Sequence, residues 1–129
     1  MTSISGTQGN VGQVNYSAAK AGVVGITKTL AREWGQLKVN VNAVAFGFVE
    51  TRLTASSDED ETFTLGDVEI PLGIPQHVRE LAATIIPLGR AGTPEEAAGA
   101  IFFLCSPWSN FVQGQVLTVN GGQTTGMTS

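Results

Sequence analysis

Cysteine is nearly absent from this sequence. Cys105 stands alone, which excludes an internal disulfide and fits a reducing compartment. Histidine is equally scarce: His77 is the only one, and a lone histidine without partners reads as a solvated side chain. No His, Cys, Asp and Glu spacing of the kind that holds a metal occurs. Charge is sparse, with 14% Asp, Glu, Lys and Arg and a net charge of −4. Without a basic cluster, neither nucleic acid nor an anionic membrane is an expected partner. No apolar run reaches the roughly 18 residues that span a bilayer. The start, Met1-Thr2-Ser3-Ile4, lacks the basic and apolar regions of a signal peptide, and Met127-Thr128-Ser129 is no peroxisomal address, so the cytoplasm is the expected location.

What is present is the composition of a buried, folded chain. Apolar residues make up 42% of the 129 residues, enough for one domain at most. Residues 6–13 form a glycine-rich loop, and a long helix is expected from about Val14 to Trp34. Its first half is small (Ser17, Ala18, Ala19, Ala21, Gly22), so another backbone can approach closely. Gly35, just past its last residue, reads as a helix stop. Lys38 to Ala45 reads as a buried strand. Residues 46–83 are longer and less regular. They contain the acidic run Asp58-Glu59-Asp60-Glu61, then Phe63, Leu65, Val68, Ile70, Leu72 and Ile74, broken by Pro71 and Pro75. An apolar-bearing excursion of this size reads as a lid or substrate loop, against the plainer reading of a self-packed surface insertion.

Thr93-Pro94-Glu95-Glu96 is a helix start: Thr93 caps, Pro94 takes the first helical position and Glu96 closes a capping box. That helix should run to Leu104 or Cys105, where Ser106-Pro107 ends it. Gln115 to Val119 is a final strand, followed by an Asn120-Gly121-Gly122 turn. Cys105 reads as a small buried hydrophobe, and Trp34 and Trp108 as packing anchors. Helix and strand in short succession predict an α/β layer architecture with a parallel sheet.

The chemistry centres on Tyr16-Ser17-Ala18-Ala19-Lys20, with Ser3 thirteen residues before the tyrosine. On a helix, Tyr16 and Lys20 lie one turn apart on the same face. A cation beside a phenol favours the phenolate, which equips a tyrosine to give or take a proton. The serine can hold the oxygen that receives it. Taken alone, Tyr-x-x-x-Lys is a weak signal, since many helices carry such neighbours.

In context the signal is specific. Ser-x12-Tyr-x3-Lys-Ala-Gly is followed by Leu30-Ala31-Arg32-Glu33, Val41-Asn42-Ala43-Val44-Ala45 and Gly47-Phe48-Val49-Glu50-Thr51. Then come Pro87-Leu88-Gly89-Arg90, Pro94-Glu95-Glu96 and Gly114-Gln115 to Asn120-Gly121-Gly122. Across essentially its whole length the chain resembles the short-chain dehydrogenase/reductase family, and within it the 3-oxoacyl-carrier-protein reductase-like branch.

That resemblance implies the C-terminal half of an NAD(P)-binding, Rossmann-type doubly wound parallel sheet. Residues 1–129 would form a single partial domain with a variable substrate loop at about 52–86. It implies NAD(P)-dependent oxidoreduction of a carbonyl/hydroxyl pair. Tyr16 would be the general acid or base, Lys20 would tune it and hold the nicotinamide ribose, and Ser3 would orient the substrate oxygen. Phe46, Gly47, Val49 and Thr51 would form the cofactor-facing turn, with Val49 presenting backbone groups to the carboxamide. It further implies a small-molecule carbonyl or alcohol substrate, and a homodimer or homotetramer formed through the long helix and the C-terminal strand region.

Two departures stand out. The family has a proline before Gly47, and this chain has Phe46, whose backbone is freer and whose side chain is bulkier. The family's first half is missing from the sequence, and with it the pyrophosphate-binding glycine turn, the selector between NAD and NADP, and a catalytic asparagine. Gly6, Gly9 and Gly12 do not replace that turn, because they lie between the serine and the tyrosine. A fragment that only folds or associates is therefore the competing expectation. An acyl-carrier-binding module is disfavoured, because carrier proteins are acidic and so is this chain.

Overall fold

A computed structural model describes residues 1–51, 62–65, 68–71, 80, 81 and 84–124. The chain runs β1 (Thr2–Ser3), α1 (Ile4–Gln8), α2 (Val14–Trp34), β2 (Ala43–Phe46), β3 (Thr62–Leu65), β4 (Val68–Pro71), α3 (Pro94–Leu104) and β5 (Val116–Val119). A parallel three-stranded sheet has the order β1-β2-β5, so β2 is central and the other two are edges. Ala43 to Phe46 pair in register with Val116 to Val119, while Thr2 and Ser3 pair with Ala45 and Phe46. The parallel α/β expectation is met.

Helix α2 has the predicted limits, but it stops differently. Gly35 keeps a right-handed helical conformation and opens a short 3-10 turn. The left-handed residue is Lys38, at φ 59°, whose N–H donates to the Gly35 carbonyl at 3.0 Å. The glycine-rich segment 6–13 is also more ordered than expected, since residues 6–8 belong to α1 and only Gly9 and Gly12 take positive φ.

The strand expected over 38–45 is confined to Ala43–Phe46, and side-chain amides explain why. Asn40 Nδ2 donates to the carbonyls of Ser109, Asn110 and Val112, and Asn42 Nδ2 donates to Val112. Gln113 accepts from the Val41 N–H at 2.7 Å and donates to the Ala31 and Val39 carbonyls. Side chains thus satisfy the polar backbone that a ladder would otherwise pair.

Residues 62–65 and 68–71 are not irregular. β3 and β4 form an antiparallel hairpin in which Thr62 pairs with Pro71 and Leu65 with Val68. The readings of Asp58 to Glu61, Leu72, Ile74, Pro75, His77 and Met127 to Ser129 fall outside the described residues. Helix α3 has the predicted cap: Thr93 Oγ1 accepts from the Glu96 N–H, and the Glu96 carboxylate accepts from the Thr93 N–H.

The core is small. Ala31, Ala43, Val44, Ala45 and Ile86 are its buried apolar members, and Ala45, in the middle of the sheet, is 0% exposed. Cys105 is exposed rather than buried, because it is the C-cap of α3. Trp34 and Trp108 do not anchor the core either: Trp108 is 86% exposed, and Phe102 and Phe111 are exposed nearby in sequence. Among the described residues, no helix is long and apolar enough to cross a membrane.

Candidate active site

Three parallel strands end in one row. Ser3 is the last residue of β1, Phe46 of β2 and Val119 of β5, and Ser3 pairs with Phe46 while Phe46 pairs with Val119. The carboxyl edge of a parallel sheet is where open α/β folds bind ligands, because the strand-to-helix loops gather there. Two sequence-predicted site segments, Ser3 and Phe46-Gly47, therefore meet although they are far apart in the chain.

Ser3 caps α1 from an extended conformation, and its Oγ accepts from the Ser5 N–H at 3.2 Å. The hydroxyl is thus fixed at a helix entry. Tyr16 lies in the first turn of α2 and is 42% exposed, open to a ligand. Lys20 is half-buried, and its Nζ stands over the Tyr16 ring, 5.5 Å from the centroid. This is a cation–π arrangement, in which the ammonium covers the ring face.

Two residues that the sequence did not single out hold this pair against the sheet. The buried Thr2 hydroxyl donates to the Lys20 carbonyl at 2.7 Å, tying β1 to α2 one residue before Ser3. Gly6 lets α1 approach α2 so closely that an added Cβ would lie 2.6 Å from the Lys20 carbonyl carbon and from its Cβ. A third is Gln13: its Oε1 accepts from Ser5 Oγ at 3.2 Å and from Asn10 Nδ2 at 3.1 Å. These bonds brace the loop that leads into Tyr16. Gly6 was visible only as one glycine among several, and no sequence signal marked Thr2 or Gln13.

The second half of the site is the turn after β2. The Gly47 N–H donates to the Val119 carbonyl at 2.9 Å, and a Cβ on Gly47 would sit 2.5 Å from Asn120 Cβ. Only glycine allows that approach. The Asn120-Gly121-Gly122 turn that receives it has positive φ at both glycines and is held by an Asn120 Oδ1 bond from the Gly122 N–H. Beyond Gly47, Val49 forms an isolated parallel bridge with Gly92. Thr51 is exposed at the end of this segment.

Open space flanks both halves. A groove of about 710 Å³ is bounded by Ile4, Ser5, Gln8, Ile85 and Gln123, beside the helix that Ser3 caps. A smaller cavity of about 160 Å³ lies against Val49, Arg90, Glu96 and Asn120. Among the described residues, no group of three or more His, Cys, Asp or Glu side chains could hold a metal.

The family model described as enoyl-(acyl carrier protein) reductase matches residues 1–124. The chain is 46% identical to a 3-oxoacyl-acyl-carrier-protein reductase of Aquifex aeolicus over 122 residues, which is 95% of this chain and 42% of that protein. It is also 46% identical to an acetoacetyl-CoA reductase of Synechocystis over 126 residues, or 97% of this chain and 45% of the relative. The fold matches the crystal structure of a short-chain dehydrogenase from Bacillus anthracis with a TM-score of 0.75 at 32% identity, covering 100% of this chain and 45% of that one. The chain therefore spans less than half the length of the relatives it matches.

Proposed function

This chain belongs to the short-chain dehydrogenase/reductase family, and on that footing we propose that it supplies the proton-transfer and substrate-facing part of an NAD(P)-dependent oxidoreductase. The observation that carries the reading is the row Ser3–Phe46–Val119 at the carboxyl edge, with the Tyr16/Lys20 pair tied to it through Thr2. A hydroxyl and a glycine-permitted backbone turn stand at that edge, and the helix that carries the phenol and the ammonium is bonded to it, which supports the reading.

In the direction of reduction, the Ser3 hydroxyl donates to the substrate oxygen and orients it. Tyr16 then transfers its phenolic proton to that oxygen as the carbonyl carbon gains hydride. Lys20 would offset the charge left on the phenolate oxygen and would hold the nicotinamide ribose when the cofactor is bound. In alcohol oxidation Tyr16 takes the proton back. NAD or NADP, when bound, supplies or accepts the hydride.

The residues present fit the nicotinamide end of such a cofactor. Gly47 leaves the backbone of the 46–51 turn bare where a side chain would collide with Asn120. Phe46 and Gly47 would form the floor, Val49 would present backbone groups to the carboxamide, and Thr51 would contact the carboxamide or a phosphate. The groove beside α1 would take a carbonyl or alcohol substrate. The names of the relatives favour a 3-oxoacyl thioester, which both the acyl-carrier-protein and the CoA compounds contain. Location in the cytoplasm and assembly as a homodimer or homotetramer belong to the same reading; the exposed Ile26 on α2 and Phe102 on α3 support association.

The second reading, a polypeptide that folds or associates without catalysing, is favoured by one observation: among the described residues the apolar core is small, and Val11, Val14 and Phe111 are fully or largely exposed. Fluorescence titration with NADH and NADPH separates the two. The chain alone should bind weakly, and a fusion to the part of the Aquifex aeolicus reductase that it does not cover should bind tightly. Absence of binding by the fusion would refute the oxidoreductase reading.

A further inference from the structure

The segment expected to face the nicotinamide is held from an unexpected side. Gly92 makes both hydrogen bonds of a one-residue parallel ladder: its N–H donates to the Phe48 carbonyl at 3.0 Å, and its carbonyl accepts from the Glu50 N–H at 2.8 Å. Val49 sits between those bonds, opposite Gly92. Its backbone is therefore tied to Gly92.

Gly92 is in turn enclosed by a charged clamp. Arg90 Nη1 and Nη2 donate to Glu96 Oε2 and Oε1 at 2.8 and 2.7 Å, a bidentate fork. Arg90 Nη1 also donates to the Ala91 carbonyl at 3.1 Å, and Glu96 Oε2 accepts from the Thr93 N–H at 2.9 Å. The peptide groups immediately before and after Gly92 are thus both bonded to the same ion pair. Both side chains are about half exposed, so the pair adds little to stability. What a planar fork adds is geometry, since it fixes direction as well as distance.

We infer that the Arg90–Glu96 pair is a positioning device for the Phe48–Thr51 backbone. Neither side chain is a catalytic residue; each acts through Gly92. Resting on the reading that this backbone meets the nicotinamide, the pair sets the placement of the ring relative to Tyr16.

Two arms test this. In the first, amide hydrogen exchange is followed in the 129-residue chain. Arg90→Lys keeps the charge but loses the fork, and Glu96→Gln keeps a capping side chain but loses the charge. Each should accelerate exchange at Glu50 and Gly92 by about tenfold, as local opening does. The amides of Ala43 and Gly47, bonded to Gln115 and Val119, should be unchanged. Equal acceleration at all four amides, or none, would overturn the inference.

In the second arm, NADH and ADP-ribose are titrated into the fusion described above. Both variants should weaken NADH several-fold and alter its nicotinamide emission while leaving ADP-ribose unaffected. Equal weakening of both nucleotides would overturn the link to the ring. If the unsubstituted fusion binds neither nucleotide, the oxidoreductase reading has failed, and the exchange arm alone decides whether the pair positions this backbone.

Discussion

Ser3 and Phe46 are directly paired across the β1–β2 ladder. The hydroxyl expected to hold the substrate oxygen and the turn expected to face the nicotinamide therefore stem from neighbouring strand ends. Hydride transfer needs the two reactants within contact distance and in a fixed orientation. A backbone ladder supplies that fixed relation without depending on side-chain rotamers. The sheet, rather than any loop, sets the distance between the two halves of the site.

Thr2→Val tests how α2 is tied to the ladder. It keeps the shape of a buried side chain and removes the donor to the Lys20 carbonyl. A lost hydrogen bond of this kind costs about 1 kcal/mol. The expected outcome is a modest fall in thermal midpoint, with a larger effect on turnover than on cofactor affinity in the active fusion. Steady-state kinetics with a separate nucleotide titration provide the check.

Gly47→Ala should be far more damaging than its size suggests. The new methyl would meet Asn120 Cβ at 2.5 Å, so the turn or the Asn120 backbone must shift. Overpacking of this type costs about 1–3 kcal/mol. A fall in thermal midpoint of about 3 °C or more should accompany it. Gly22→Ala is the control, because nothing lies within 4 Å of its added Cβ and alanine favours a helix interior. A calorimetric scan should show that variant unchanged or more stable.

The Arg90–Glu96 pair has a distinct acid signature. The hydrogen bond from Arg90, then that from the Thr93 N–H, lowers the Glu96 carboxyl from 4.5 to about 2. Because the folded value is the lower one, the pair's contribution is complete above pH ~4.5 and is lost as pH falls through about 2. Carbon-detected NMR of the Glu96 carboxyl should show no titration near pH ~4, where exposed glutamates titrate. In Arg90→Ala the midpoint should move up toward that ordinary value.

Much of this was legible in the sequence, and the remainder has physical reasons. Helix α2 and the Thr93 cap follow from short-range rules, since spacing and capping chemistry act within a few residues. The strand is shorter than the periodicity implies because Asn40, Asn42 and Gln113 satisfy backbone groups across a gap in sequence that periodicity does not see. The antiparallel pairing of 62–65 with 68–71 is not visible in the sequence pattern. Pro71 and the irregular apolar pattern masked it. Cys105, Trp34 and Trp108 are more exposed than their residue types imply, because residue type alone does not fix location. In the candidate site, the residues proposed to do chemistry carry a pattern, whereas those that hold them (Thr2, Gly6, Gln13) act through contacts that exist only once the chain is folded.

Lys20→Ala removes the cation over the Tyr16 ring. Both turnover and nicotinamide nucleotide affinity should fall in the active fusion. Unchanged affinity would contradict a ribose contact, and unchanged turnover would contradict the proposed part of Lys20 in proton transfer.

The most direct test is Tyr16→Phe in that fusion, followed by NADPH or NADH oxidation with acetoacetyl-CoA at 340 nm. Loss of the proton donor should lower kcat by about 100-fold or more, while nucleotide affinity stays near that of the unsubstituted protein. Retention of most of the turnover would contradict the account, because the acid at the centre of the site would then lie elsewhere.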